Sequence, residues 1–201
     1  MARLKSIKCL NSINSQKIHE LLVLGMFEGG NANFASASSK ELSNSINEKI
    51  SLDDFSGKEG KMLSCYGDKS IQRWLLVGFG DKKKFTTDKL RAIAANIASY
   101  ANKNNLKSIS IDAKSLGLSK EDNLQSLCEG LVLGSYEFLN YKSKVEKENS
   151  LNTVFILGNV DSKVADKGFS IGESVSFARD LGNHPPNIQT PADLANSADK
   201  I

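Results

Sequence analysis

Cysteine, histidine, tryptophan and proline are scarce in this 201-residue sequence, which has three cysteines, two histidines, one tryptophan and three prolines. Cys9, Cys65 and Cys128 stand far apart and form no Cys-x-x-Cys pair and no zinc spacing. They are expected to be small, inert core thiols of a chain that folds in a reducing compartment. Histidine is the usual side-chain base near neutral pH, and here it is limited to His19 and His184, neither with a supporting constellation. His19-Glu20 opens like the zinc-helix motif His-Glu-x-x-His, but position 23 is Val23 and the surrounding pattern is that of a strand. There is no Gly-x-Ser-x-Gly elbow and no Gly-x-x-x-x-Gly-Lys-Ser/Thr phosphate loop. Long apolar runs are missing too. The longest, Leu21 to Phe27, falls far below the ~18 residues of a membrane-spanning helix. The basic start Met1-Ala2-Arg3-Leu4-Lys5 lacks the apolar core of an export signal, because Lys8, Asn11, Asn14 and Lys17 interrupt it. A soluble cytoplasmic protein with no membrane partner is expected. The net charge of +3 is too small to imply a nucleic-acid partner.

With 40% hydrophobic and 24% charged residues the composition is that of a globular protein that needs no disulfides. Residues 19 to 27 form a short apolar run ended by Glu28-Gly29-Gly30, the pattern of a strand buried on both faces. A weaker strand is expected near Leu4 to Cys9. The polar stretch from Asn31 to Gly60, with Phe34, Leu42, Ile46, Ile50, Leu52 and Phe55 as its apolar residues, leaves room for one helix at 38 to 50. Residues 61 to 66 and 71 to 77, parted by Gly67-Asp68-Lys69-Ser70, read as an antiparallel hairpin. Leu90, Ile93, Ala94, Ile97 and Ala101 recur at helical spacing behind Thr87 as N-cap and Asp88 in the first turn.

Leu106 to Ile111 is a further strand. Ser119 and Asp122 have capping-box spacing before a helix carrying Leu124, Leu127, Cys128, Leu131, Ser135 and Phe138 on one face. After the basic stretch Tyr141 to Ser150, Leu151 to Leu157 is a buried strand. Asp161 caps a helix on which Val164, Gly168, Ile171, Val175 and Ala178 share a face, and Pro185-Pro186 ends it. The order predicts an α/β fold: a mixed central sheet flanked by helices on both faces. Thr190-Pro191-Ala192-Asp193 is a strong helix start, with Leu194, Ala198 and Ile201 facing inward. That helix has neither a C-cap glycine nor a following element to cover it, so the chain is expected to be truncated.

Three constellations bear on ligands. Gly78-Phe79-Gly80 follows a strand like the first half of a dinucleotide fingerprint, but Lys83 stands where the third glycine belongs. Lys82, Lys83 and Lys84 could meet a phosphate, although a solvated lysine loop is the simpler reading. Asp53-Asp54 lies in a polar excursion where adjacent acids usually solvate a turn. No residue is assigned as catalytic, cofactor-binding or metal-ligating.

The stretch Ala178-Arg179-Asp180-Leu181-Gly182-Asn183-His184-Pro185-Pro186-Asn187-Ile188-Gln189-Thr190-Pro191 resembles a signature of the leucyl (cytosol) aminopeptidase family, Ala-Arg-Asp-Leu-x-Asn-x-Pro-Pro-Asn-x-x-Thr-Pro. Leu76 to Gly80 before a helix opening Phe85-Thr86, and Glu129-Gly130 to Phe138 followed by Tyr141-Lys142, are similar to further segments of that family. Gly182 replaces a larger apolar residue and His184 a common threonine, and Arg179 and Asp180 are candidates for pairing across a domain junction.

The resemblance implies a macro-domain-like N-terminal domain at residues 1–160, a linking helix and turn at 161–184, and the truncated start of the catalytic domain at 185–201. It implies a parent metalloexopeptidase that removes N-terminal amino acids from peptides by two-metal hydrolysis with manganese or zinc, assembled as a homo-oligomer, a hexamer. Every metal ligand and catalytic residue of the family would then lie in the absent catalytic domain. This chain would serve assembly and active-site access, with the C-terminal catalytic domain as its partner, and would be inactive alone. A second reading is a macro-like module that binds ADP-ribose or a related nucleotide near Gly78 to Lys84, using helix N-terminal amides. Nucleic-acid binding through the lysine loop is weaker still.

Overall fold

The computed structural model describes residues 4–11, 20–30, 40–67, 71–144 and 149–199. His19, Phe34, the hairpin-turn residues Asp68, Lys69 and Ser70, Ile201 and the side chain of Leu42 lie outside the described residues.

Six strands, β1 (Ser6–Leu10), β2 (Leu22–Met26), β3 (Met62–Tyr66), β4 (Arg73–Gly78), β5 (Ser108–Asp112) and β6 (Thr153–Leu157), form one sheet. Its order is β1-β6-β5-β2-β4-β3, and every neighbouring pair is parallel except β3 with β4. The mixed sheet follows from the hairpin read in the sequence. Side chains alternate across the pleat. Val23, Leu75, Val77, Ile109, Ile111, Val154 and Ile156 therefore face one apolar layer, and Leu22, Leu24, Trp74 and Leu76 face the other.

The helices are α1 (Lys40–Leu52), α2 (Thr87–Lys103), α3 (Glu121–Gly134), α4 (Ser162–Asn183) and α5 (Pro191–Ala198). α2 and α3 cover the first face through Leu90, Ile93, Ile97, Leu124, Leu127 and Leu131, while α1 covers the second through Ile46. Both faces are covered, as expected.

Several boundaries differ from the sequence reading. The N-cap of α2 is Thr86, whose hydroxyl accepts from the Lys89 N–H at 3.3 Å, so Thr87 is the first helical residue. At α3 the N-cap is Lys120, with no side-chain hydrogen bond, and Ser119 and Asp122 make no capping box. Glu121 and Asp122 instead place negative charge in the first turn, where the macrodipole favours it. α3 stops at Gly134 and not near Phe138. Ser135 closes it, donating its N–H to Leu131 O and its hydroxyl to Val132 O while accepting the Leu4 N–H at 3.3 Å.

The face read on α4 is corrected in part: Gly168 is buried and Val164 packs on the core, but Ala178 is exposed. Ala165, Gly168, Gly172, Ser176 and Asp180 are buried, whereas Ile171 and Val175 are exposed. Close approach to α3 explains the choice of face. A Cβ on Gly168 would stand 2.6 Å from Gln125 O, and one on Gly172 would stand 2.7 Å from Val132 Cβ. Small residues let α4 settle against α3; Val164 and Phe169 pack against the same core, while Ile171, Val175 and Phe177 are exposed. α5 has the predicted capping box between Thr190 and Asp193 and proline at the start, but it buries no residue, and Leu194 is 51% exposed. Two thiols depart from the expected core position as well: Cys9 and Cys65 are half-buried on the edge strands, and only Cys128 is buried.

Candidate functional site

In a parallel sheet, ligands ordinarily bind beyond the carboxyl ends of the strands, where the chain order reverses. Here that point lies between β2, which leads toward β4, and β5 on the other side of β2. Phe27, Phe79 and Phe85 gather there, with ring centroids 5.1 to 5.3 Å apart. Phe79 is fully buried, and a Cβ on Gly25 would stand 2.4 Å from its ring. The Gly25 N–H donates to Ser115 Oγ at 3.0 Å, and the Ser115 N–H donates to Asp112 Oδ2 at 2.7 Å. The crevice is filled by the protein's own side chains and hydrogen bonds.

The glycines that resembled a dinucleotide fingerprint serve the same packing. A Cβ on Gly78 would stand 2.1 Å from the Lys58 carbonyl oxygen. Gly80, at φ 70°, donates to Gly57 O at 2.9 Å, and Gly60 donates to Gly78 O at 3.1 Å. Backbone from residues 57 to 60 thus occupies the space that a pyrophosphate would need. Lys82, Lys83 and Lys84 form an exposed 3-10 turn capped by Asp81, which accepts from the Lys83 N–H. The N-terminus of α2 is met by Thr86 and by Asp88 in the first turn, and Lys89 pairs with Glu59 at 2.5 Å. These contacts do not favour the nucleotide reading.

The family-like segments meet elsewhere, where the end of α4 lies against the chain that leaves α3. The Tyr136 hydroxyl donates to Asp180 Oδ1 at 2.9 Å and accepts from Asn183 Nδ2 at 2.9 Å. The Arg179 guanidinium lies 4.3 Å from the centroid of the same ring, a cation–π contact. Arg179 and Asp180 therefore both engage Tyr136. Burial, and then the Asp180 carboxylate, push the Tyr136 phenol above its ordinary value, while Asn183 and Arg179 oppose them. One turn on, His184 is the C-cap of α4, and its Nδ1 lies 2.5 Å from the Tyr141 hydroxyl. Its ring meets those of Phe138 and Tyr141 edge-on at 5.3 and 5.8 Å. The arrangement is a clasp that holds the end of a 22-residue helix.

The other sequence candidates fall apart from this clasp. Asp53 pairs with Lys49 at 2.9 Å at the end of α1, and Asp54 sits in the turn at φ 47°. Among the described residues no group of three or more His, Cys, Asp and Glu is placed to hold a metal. Reading motifs in isolation missed the role of Tyr136. Its signal was that two family-like segments, one ending in Tyr136 to Tyr141 and one running from Arg179 to His184, had to be neighbours in space.

Comparison with known proteins agrees with the segments. A family model for the N-terminal domain of the cytosol aminopeptidase family matches residues 23–145. The "Probable cytosol aminopeptidase" of Alkaliphilus metalliredigens is 28% identical over 208 residues, covering 96% of this chain and 42% of that protein. Its counterpart from a Picosynechococcus strain is 34% identical over 191 residues, covering 90% of this chain and 38% of that protein. Among solved structures, a mutant of tomato leucine aminopeptidase superposes with a TM-score of 0.75 at 28% identity, covering 100% of this chain and 42% of that one. The bottromycin maturation enzyme BotP shares the fold at a TM-score of 0.71 and 21% identity, with 90% and 36% of the two chains covered. The chain thus spans about 42% of the first of these relatives. It belongs to the cytosol aminopeptidase family and carries that family's N-terminal domain.

Proposed function

We propose that this chain is the non-catalytic N-terminal half of a leucyl aminopeptidase-like metalloexopeptidase, a hydrolase that removes N-terminal amino acids from peptides in the cytoplasm. Residues 1–160 form the macro-like domain, 161–184 the linking helix and turn, and 185–201 the opening of the catalytic domain. The reading is carried by the family match over residues 23–145 in a chain that spans about 42% of a relative. The exposed apolar side chains of α4 and beyond, Ile171, Val175, Phe177, Ile188 and Leu194, support it as the face on which the catalytic half packs.

Two divalent ions, manganese or zinc, would activate the attacking water in that other half. In this reading no residue of this chain is assigned as a metal ligand or given a step in hydrolysis. The chain's work is mechanical. The Tyr136–Asp180–Asn183 bonds and the Tyr141–His184 contact hold the end of α4 on its own domain, which sets the direction in which residues 185 onward leave. Subunit contacts of the hexamer and access of peptides to the active site would depend on that direction.

The test is hydrolysis of leucine p-nitroanilide by the purified chain with added manganese or zinc. No metal-dependent turnover is expected. Turnover abolished by a chelator and restored by metal would overturn the proposal.

A further inference from the structure

The two edges of the sheet are finished differently. β1 carries Lys8 and is packed against α4, with Cys9 near enough to Asp161 and Asp166 to feel their charge. β3 at the other edge reads Met62-Leu63-Ser64-Cys65-Tyr66 and has neither a charged residue nor a proline, two features that ordinarily keep an edge from pairing. Its ladder with β4 determines which backbone groups are left over. The Gly67 N–H donates to Gln72 O and the Gly78 N–H to Lys61 O, both at 2.9 Å. The antiparallel register runs from Met62 opposite Val77 to Tyr66 opposite Arg73, and hydrogen-bonded pairs alternate with open ones along it. Leu63 and Cys65 therefore bond to β4, whereas Met62, Ser64 and Tyr66 turn N–H and C=O outward. Among the described residues no backbone group pairs with these three on the outer side.

A cavity of about 350 Å³ lies along this edge, where Lys49 and Arg73 join Tyr100 and Asn104 beside Ser64 and Cys65. The Arg73 guanidinium lies 5.5 Å from the centroid of the Tyr66 ring, and among the described residues it has no carboxylate partner. Lys49 is held at 2.9 Å from Asp53.

The geometry points to β3 as a strand-addition site for an extended acidic peptide. The peptide backbone pairs with the outward groups of Met62, Ser64 and Tyr66, and a peptide carboxylate enters the cavity beside Arg73 and Lys49. Charge decides the occupant. A second copy of β3 has no carboxylate to offer and would bring a second Arg73 toward the first, whereas acids at every other position of a strand project to one face and meet the guanidinium. This site lies on the sheet edge opposite β1 and α4 and does not depend on the aminopeptidase reading.

The test is fluorescence anisotropy of the full chain with a fluorescein-labelled peptide of alternating valine and glutamate. Saturable binding is expected. Ser64→Pro removes an outward N–H and no bond to β4, and should weaken binding about tenfold or more while leaving the circular dichroism spectrum unchanged. Arg73→Glu should weaken it by a similar factor, as should glutamine in place of glutamate in the peptide. Methylating alternate peptide amides tests the backbone pairing without changing the protein, and should also abolish binding. The proposal is overturned by the absence of saturable binding up to about 1 mM peptide, a very weak limit. It is equally overturned by affinities that Arg73→Glu and peptide methylation leave unchanged. A dimer lost in Ser64→Pro, with no peptide binding, would also overturn it by giving the edge to a second copy.

Discussion

Gly130 of α3 lies so close to Arg91 of α2 that a Cβ on it would stand 2.2 Å from the Arg91 carbonyl oxygen and 2.7 Å from the Ala94 Cβ. Backbone cannot retreat from such a contact without moving a helix. Gly130→Ala is therefore expected to cost about 1–3 kcal/mol, the usual penalty of overpacking. Urea unfolding should show a lower midpoint with an unchanged slope.

Gly182 gives the opposite expectation. It sits inside α4, near the C-terminal end, with nothing within 4 Å of where its Cβ would be. Gly182→Ala should stabilise the chain by about 0.5–1 kcal/mol, by restricting the unfolded state and favouring helix. Thermal unfolding of the two alanine variants side by side should move in opposite directions.

Tyr136 ties α4 to the chain after α3 through one hydroxyl that both donates and accepts. Tyr136→Phe removes that hydroxyl and keeps the ring under Arg179. A loss of about 1–2 kcal/mol is expected, since the bond to Asp180 is to a charged acceptor. Amide exchange should speed up in the last turns of α4 and remain unchanged in α2.

The capping box of α5 predicts a pH dependence. Thr190 donates its N–H at 3.1 Å and its hydroxyl at 2.5 Å to Asp193 Oδ2. These bonds hold the Asp193 carboxyl below its ordinary value. The folded state thus binds fewer protons than the unfolded one in the acid range. The stabilisation is fully present above the unfolded aspartate value of about 4 and is lost as pH falls through the lower folded value. A carboxyl NMR titration should give a depressed midpoint for Asp193, and in Asp193→Asn the acid-range loosening of α5 should disappear.

Much of the fold was legible because burial repeats with the period of each element. β2 is buried at every position from Leu22 to Met26, and Leu90, Ile93, Ala94, Ile97 and Ala101 are buried at helical spacing. Periodicity failed where small residues carry the contact. On α4, Gly168, Gly172 and Ser176 face inward, and of the residues at the apolar spacing Val164 and Gly168 pack inward whereas Ile171 and Val175 are exposed. The caps at Thr86 and Lys120 were displaced or lost because neighbouring polar residues compete within one turn, and only backbone geometry chooses between them. The glycines at 78 and 80 were ambiguous for a related reason: glycine permits close approach without saying whether a ligand or the chain itself approaches.

The exposed apolar residues of the α4–α5 side are proposed as the surface that the catalytic half covers. The direct measurement is calorimetric titration of this chain with a separately produced catalytic half from the Picosynechococcus relative. A one-to-one complex of micromolar or tighter affinity is expected, abolished when Ile171 and Val175 are both replaced by aspartate. No association, or association that the double substitution leaves intact, would contradict it.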